Sequence, residues 1–282
     1  MLPDVNLVGH AGPLLAAARG AVVDLWGVMH NGIAAFPDAV DALARFRDGR
    51  RAGVVMLSNA PRPSAVVRLQ LDRLGVPREL YDFIVTSGDV TRDALAAAGY
   101  RHLWHVGPER DLPIYEGLNV TLTDDLDAAE ALVCTGLVDD ERETAEDYRP
   151  LLEAALSRGL ALVCANPDRI VKRGADVIPC AGAVAALYEE MGGTVEWHGK
   201  PYPSVYSRSL GLLGTAPGET LAVGDGIETD IPGANAQNIP ALLVTGGVHA
   251  SIWGDPPDPA RLTAALAERQ LSVAAAIDRL RW

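Results

Sequence analysis

Long apolar runs are missing from this chain: none approaches the ~18 uninterrupted residues that a membrane-spanning helix needs. The first ten residues, MLPDVNLVGH, lack the basic stretch followed by an apolar one that marks a secretory leader. The expectation is a soluble, cytoplasmic protein with no membrane partner. Cysteine is scarce. The three that occur, Cys134, Cys164 and Cys180, are odd in number and never in C-x-x-C spacing. Neither a disulfide framework nor a zinc site is favoured, and all three read as packing residues. Positive charge is scarce too: 24 lysines and arginines against 37 acids leave a net charge of −13, with no basic run. That field argues against a nucleic acid partner, although one lysine with a metal ion would still admit a small anion. There is no internal repeat and no low-complexity linker.

What is present is enough to fold. Hydrophobic residues make up 49% of the chain and charged ones only 22%, which excludes disorder. At 282 residues, a scale of roughly 150 per domain suggests two domains. Apolar runs bounded by glycine or polar turns read as strands: GAVVDLW, AGVVMLSN, DFIVTSG, HLWHVG, ALVCTG, LALVCAN, VEWHGK, TLAVGDG and PALLVTGG. Helical spacing lies between several of them. Residues 38–48 follow Pro37 and precede Gly49, with Val40, Leu43, Ala44 and Arg47 in helical register. A second helix has Ser64 as its N-cap, Val67, Leu71 and Leu74 on one face, and Gly75 as its stop. Strand alternating with helix predicts an α/β fold with a parallel sheet and active groups on the loops after the strands.

Four strand ends carry polar residues that such a sheet brings to one rim. Asp24 ends the first strand and runs into a glycine turn. Ser58 and Asn59 follow the next strand and precede a helix start, so a hydroxyl and free N–H groups face outward, suited to a phosphate oxygen. Lys200 stands before a proline-marked helix in WHGKPYPSVY, and Asp225 and Asp230 follow a strand in LAVGDGIETDIPGA. Three acids, one lysine and one hydroxyl on such a rim form a metal-plus-phosphate constellation.

These motifs, DLWGV, LSN, HGKP and GDGIETDIPGA, resemble the four of the haloacid dehalogenase superfamily of phosphohydrolases. TSGDVT (86–91), ANPD (165–168) and the 140 residues between Asn59 and Lys200 narrow the resemblance to class IIA, the NagD-like or p-nitrophenylphosphatase-like branch. The resemblance implies a Rossmann-like parallel-sheet core from residues 1–82 and 183–282, with a smaller α/β cap inserted at 83–182. It implies Asp24 as nucleophile, forming an aspartyl phosphate on a small phosphorylated metabolite. Mg²⁺ would be held by Asp24, the Trp26 carbonyl and Asp225, with Asp230 close by. Ser58 and Lys200 would bind the transferring phosphoryl group beside Asn59, and Asn166 and Asp168 of the cap would face substrate. Assembly of identical copies is left open.

The resemblance fails at one position. Where most of these phosphatases carry a second aspartate that moves protons, this chain has Trp26, whose indole N–H only donates. An active site without that acid favours aryl or acyl phosphates over alkyl ones, unless another group supplies the proton. His30, six residues after Asp24, could do so, since histidine titrates near neutrality; His249, after the last strand, reads as a surface loop residue with lining of the cleft as the alternative. Two other readings stand: a phosphate-ligand sensor that keeps the site without turnover, and a hydrolase attacking carbon, as dehalogenases do. The position of the insertion disfavours the latter.

Overall fold

The computed structural model describes residues 5–48, 53–173 and 176–282, apart from the side chains of residues 172 and 173. In chain order its strands are β1 (Gly20–Asp24), β2 (Gly53–Ser58), β3 (Phe83–Thr86), β4 (His102–Val106), β5 (Thr121–Leu122), β6 (Ala131–Cys134) and β7 (Ala161–Cys164). There follow β8 (Ile170–Arg173), β9 (Asp176–Pro179), β10 (Val195–Trp197), β11 (Thr220–Gly224), β12 (Ala241–Val244) and β13 (Ala275–Ile277). One parallel sheet has the order β13-β12-β11-β1-β2-β3, a second has β10-β7-β6-β4-β5, and β8 and β9 pair as an antiparallel hairpin.

A parallel sheet with helices on both faces buries every side chain of its central strands, which is why these strands read as continuous apolar runs. In β1 the alternation is visible in the packing. Ala21 and Val23 join one core cluster with Leu43, Phe46 and Leu71, whereas Val22 joins the opposite cluster with Tyr206, Ile231 and Trp253. The smaller sheet repeats this pattern, Leu132 and Cys134 facing one side and Ala131 and Val133 the other. Cys134 and Cys164 sit in register on adjacent strands, and all three cysteines are free and buried.

The helices correct two details. The helix Pro37–Arg47 buries Ala39, Ala42, Leu43 and Phe46, so its inner face is turned by about one residue from the expected one: small alanines allow close approach and Phe46 anchors it. Gly49, its expected stop, lies outside the described residues. Ser64 is the first residue of the helix Ser64–Leu74 rather than its cap, because the carboxylate of Asp89 accepts the Ser64 N–H at 3.1 Å from another helix. Gly75 ends that helix in the left-handed region at φ 79°, as its place in the pattern requires.

Sheet membership moves both expected boundaries of the insertion. β3, expected to open the cap at residue 83, pairs with β2 in the six-stranded sheet. The helix Ala181–Glu190 and β10, expected in the core from residue 183, pack on and pair within the smaller sheet. The helix Ser87–Ala98 makes the crossing: Val90 is buried in the core cluster and Leu95 in that of the smaller sheet. The chain returns at His198–Lys200. Among the described residues no helix is long and apolar enough to cross a membrane.

Candidate active site

Asp24 ends β1, Ser58 ends β2 and Asp225 follows β11 directly, so three neighbouring strands deliver them to the same rim. Asp230 opens the helix Asp230–Ala236 just beyond. Lys200, from the loop after β10, reaches in between, its Nζ donating to Asp24 Oδ1 at 2.6 Å and to Asp230 Oδ1 at 2.9 Å. The Asn59 side chain fixes the Lys200 backbone from both sides: Oδ1 accepts its N–H at 2.7 Å and Nδ2 donates to its carbonyl at 3.2 Å. Ser58 Oγ accepts the Ala60 N–H at 3.1 Å, leaving its own proton to donate. Two glycines make room for Asp225. A Cβ on Gly27, at φ +76°, would stand 2.1 Å from Asp225 Oδ2, and one on Gly247 only 1.8 Å from it. The same oxygen accepts the Val248 N–H at 2.9 Å.

Burial shapes the charges here. Ligand-capable oxygens of Asp24, Asp225 and Asp230 lie within 4.8 Å of one another, and all three residues are buried. Burial first, and then repulsion from Asp230, push the Asp24 carboxyl well above the ordinary carboxylate range against the pull of Lys200. The same two causes lift Asp225 to about 7. Burial disfavours the Lys200 ammonium, but Asp230 and Asp24 outweigh it and hold the group well above the usual lysine range. Ionised together, the three carboxylates would outnumber the one ammonium by two negative charges in a buried rim, an excess a divalent cation would balance. The donor set is all oxygen, as Mg²⁺ requires. Among the described residues no hydrogen bond occupies Oδ2 of Asp24 or Oδ1 of Asp225, whereas both oxygens of Asp230 are engaged, by Lys200 and by the Gly226 N–H at 3.1 Å. The residues fit the ion, with Asp230 better suited to orienting than to binding it.

This rim floors a cleft of about 1090 Å³ whose other wall comes from the smaller sheet. A family model of haloacid dehalogenase-like hydrolases matches residues 21–121, and a second HAD-hydrolase-like model matches residues 197–268. A crystal structure of a haloacid dehalogenase-like hydrolase from Brucella suis 1330 is 39% identical, covers 99% of this chain and 100% of its own, and superposes with a TM-score of 0.86. The chain belongs to the haloacid dehalogenase superfamily. The acid sugar phosphatase of Staphylococcus epidermidis is 28% identical over 80% of this chain and 86% of its own length. The ribonucleotide monophosphatase NagD of Escherichia coli K12 is 24% identical over 82% and 89%. Within the superfamily the chain falls in class IIA, the NagD-like branch.

For a haloacid dehalogenase-type site the cleft gathers what the motifs promised: Asp24, Trp26, Ser58, Asn59, Lys200, Asp225 and Asp230 all line it, with Asn166 and Asp168 from the loop after β7. Asn166 also serves its own turn, its Oδ1 accepting the Asp168 N–H at 3.1 Å. His249 lines the cleft as well, its ring edge-on to Trp253. His30 does not. It is 1% exposed, its Nδ1 accepts the Gly32 N–H at 3.1 Å, and its ring meets Trp26 edge-on at 5.0 Å. Burial lowers it to about 4, so at neutral pH it is an uncharged packing residue rather than a proton shuttle. Trp26 lies against Gly32, where a Cβ would stand 2.4 Å from the indole. Sequence reasoning missed Arg62 on the core side of the cleft and Asp111 and Thr135 in the far wall. Arg62 could have been found, three residues after Asn59 on the same loop. Asp111 and Thr135 carry no local signal, because only the folding of the cap turns them inward.

Proposed function

We propose that the protein is a Mg²⁺-dependent phosphoric monoester hydrolase that works on a small phosphorylated metabolite through an aspartyl phosphate on Asp24. The observation that carries this is the lysine bridge: Lys200 Nζ holds Asp24 at 2.6 Å and Asp230 at 2.9 Å in a buried rim that lines the same cleft as Ser58. Asp24, Asp225 and the Trp26 carbonyl would hold the metal, oriented by Asp230. The ion would supply positive charge to the phosphoryl oxygens. Lys200 orients the Asp24 carboxylate for attack on phosphorus and offsets the anionic charge of ester and nucleophile, which otherwise repel. Ser58 donates to a phosphoryl oxygen, and Asn59 keeps Lys200 in place. The relatives named as sugar and nucleotide phosphatases support the reaction class.

The test is a panel of phosphomonoesters assayed with and without Mg²⁺, beside Asp24→Asn. Hydrolysis that needs Mg²⁺ and disappears in the variant is the expected result. Trp26 supports a second reading, a phosphate-ligand sensor, since neither Trp26 nor His30 moves protons at the cleft; metabolite binding without turnover would favour it. Attack on carbon finds no support among the named relatives.

A further inference from the structure

An in-line attack by Asp24 expels the leaving group away from the core rim and toward the wall built by the smaller sheet. An alkoxide leaving there needs a proton, and the water that later cleaves the aspartyl phosphate arrives from the same side and must lose one. Trp26 and His30 serve neither step. The other carboxyls that line the cleft outside the metal rim are mostly committed. Asp111 pairs with Arg62 at 3.5 Å, Asp140 with Arg110 at 2.5 Å and Glu228 with Arg269 at 3.8 Å, while Glu189 accepts the Trp197 indole N–H at 3.3 Å. Asp168 is different. It enters from the loop after β7, and its Oδ1 accepts from Asn59 Nδ2 at 2.8 Å. Asn59 is the neighbour of Ser58 and the clamp on Lys200, so this carboxyl is tied to the two loops that would hold the phosphoryl group. Among the described residues, nothing hydrogen-bonds its Oδ2 and no cation pairs with it.

Resting on the phosphatase reading, we infer that Asp168 is the catalytic acid and base of this enzyme, supplying from the cap the carboxyl that Trp26 replaces in the core. In the first step a bond forms between Asp24 and phosphorus as the bond from phosphorus to the ester oxygen breaks, and the Asp168 proton goes to that oxygen to release an alcohol. In the second, the Asp168 carboxylate takes a proton from water as the water oxygen bonds to phosphorus. Inorganic phosphate and the Asp24 carboxylate are released, and Asp168 is protonated again. The groups around it suit this role. Burial first raises the Asp168 carboxyl, Lys200 and the Asn59 hydrogen bond oppose that, and Asp230 adds to it, with Asp225 also within electrostatic reach.

The role predicts dependence on the leaving group. A p-nitrophenolate departs without a proton and an alkoxide does not, so Asp168→Asn should leave the first step intact for one ester and cripple it for the other. Rapid-quench measurement with Mg²⁺ and p-nitrophenyl phosphate should find a burst of p-nitrophenol at the wild-type rate, followed by accumulation of aspartyl phosphate. With a glycerol phosphate the first step should slow by ~10²–10⁴, the usual worth of a general acid. Asp168→Glu should recover part of the alkyl activity, and calorimetric Mg²⁺ binding by Asp168→Asn should match wild type, which separates the role from misfolding. Equal slowing of both esters would overturn the proposal and make Asp168 a structural partner of Asn59. A wild-type protein without any Asp24-dependent burst would overturn the phosphatase reading itself, and this inference with it, before any Asp168 variant is made.

Discussion

Replacing Asp225 with asparagine should make the metal-free protein more stable while abolishing its response to Mg²⁺. The substitution keeps shape and an acceptor for the Val248 N–H, and removes one of three carboxylates that share a single ammonium. The folded protein lifts the Asp225 carboxyl from 3.8 to about 7. At about 1.4 kcal/mol per tenfold change in proton affinity, keeping it ionised costs at most about 4 kcal/mol, and rearrangement of its surroundings reduces that to about 2–4 kcal/mol. The sign follows from linkage. Because the folded state binds the proton more tightly than the unfolded state, this contribution is fully present below pH 3.8 and is lost as pH rises through about 7. In chelator at pH 8 the variant should therefore melt higher, by roughly 4–16 °C at 2–4 °C per kcal/mol for a chain of this size, and the gap should close toward pH 4. Millimolar Mg²⁺ should raise the melting temperature of wild type and not of the variant. Differential scanning calorimetry at both pH values decides the matter. A variant less stable than wild type at pH 8 in chelator, or a difference indifferent to pH, would refute the charge argument.

Other expectations follow from the same geometry. Gly247→Ala places a methyl where Asp225 Oδ2 now lies and should weaken Mg²⁺ binding by about 10–100-fold with the fold retained, as calorimetry would measure. Lys200→Met leaves the carboxylates without their ammonium: turnover should vanish, and urea unfolding should register a loss of stability that shrinks at acid pH. Leu43→Ala in the fully buried face of Pro37–Arg47 should cost about 2–5 kcal/mol in the same assay. Asp82→Ala removes the paired bonds to Arg47 and the acceptor for the Val54 N–H at 2.8 Å at the start of β2. It should cost about 1–2 kcal/mol at pH 7, and less as pH falls below the depressed Asp82 value.

The candidate site was largely legible because a parallel sheet collects its strand ends. Once GAVVDLW, AGVVMLSN and TLAVGDG read as parallel strands, Asp24, Ser58 and Asp225 had to share a rim whatever the rest of the chain did. The insertion was legible only in outline. β3 and β10 are both short, and which sheet each joins is decided by long-range pairing with β2 and β7 that no local pattern records. The short strands β5, β8, β9 and β13 escaped notice for a related reason: the exposed Thr121 and Leu122 and the small AAI of β13 carry little apolar signal of their own. His30 failed as a candidate because spacing from Asp24 says nothing of depth, and the turn through Gly27 folds its ring beneath Trp26 rather than over the cleft. Asp168 could be named from ANPD, but its contact with Asn59, 109 positions away, belongs to the folded chain alone.

The most direct test of the account is to find the phosphoryl group on the enzyme. Protein mixed with p-nitrophenyl phosphate and Mg²⁺, quenched in acid and digested, should yield one phosphorylated peptide, with the phosphoryl group on Asp24 and formed as fast as p-nitrophenol is released. The modification should be absent from Asp24→Asn. Steady hydrolysis with Asp24 unmodified at every quench time, or a phosphoryl group found on Asp225 or Asp168 instead, would contradict the assignment of Asp24 as nucleophile and with it the chemistry built on this rim.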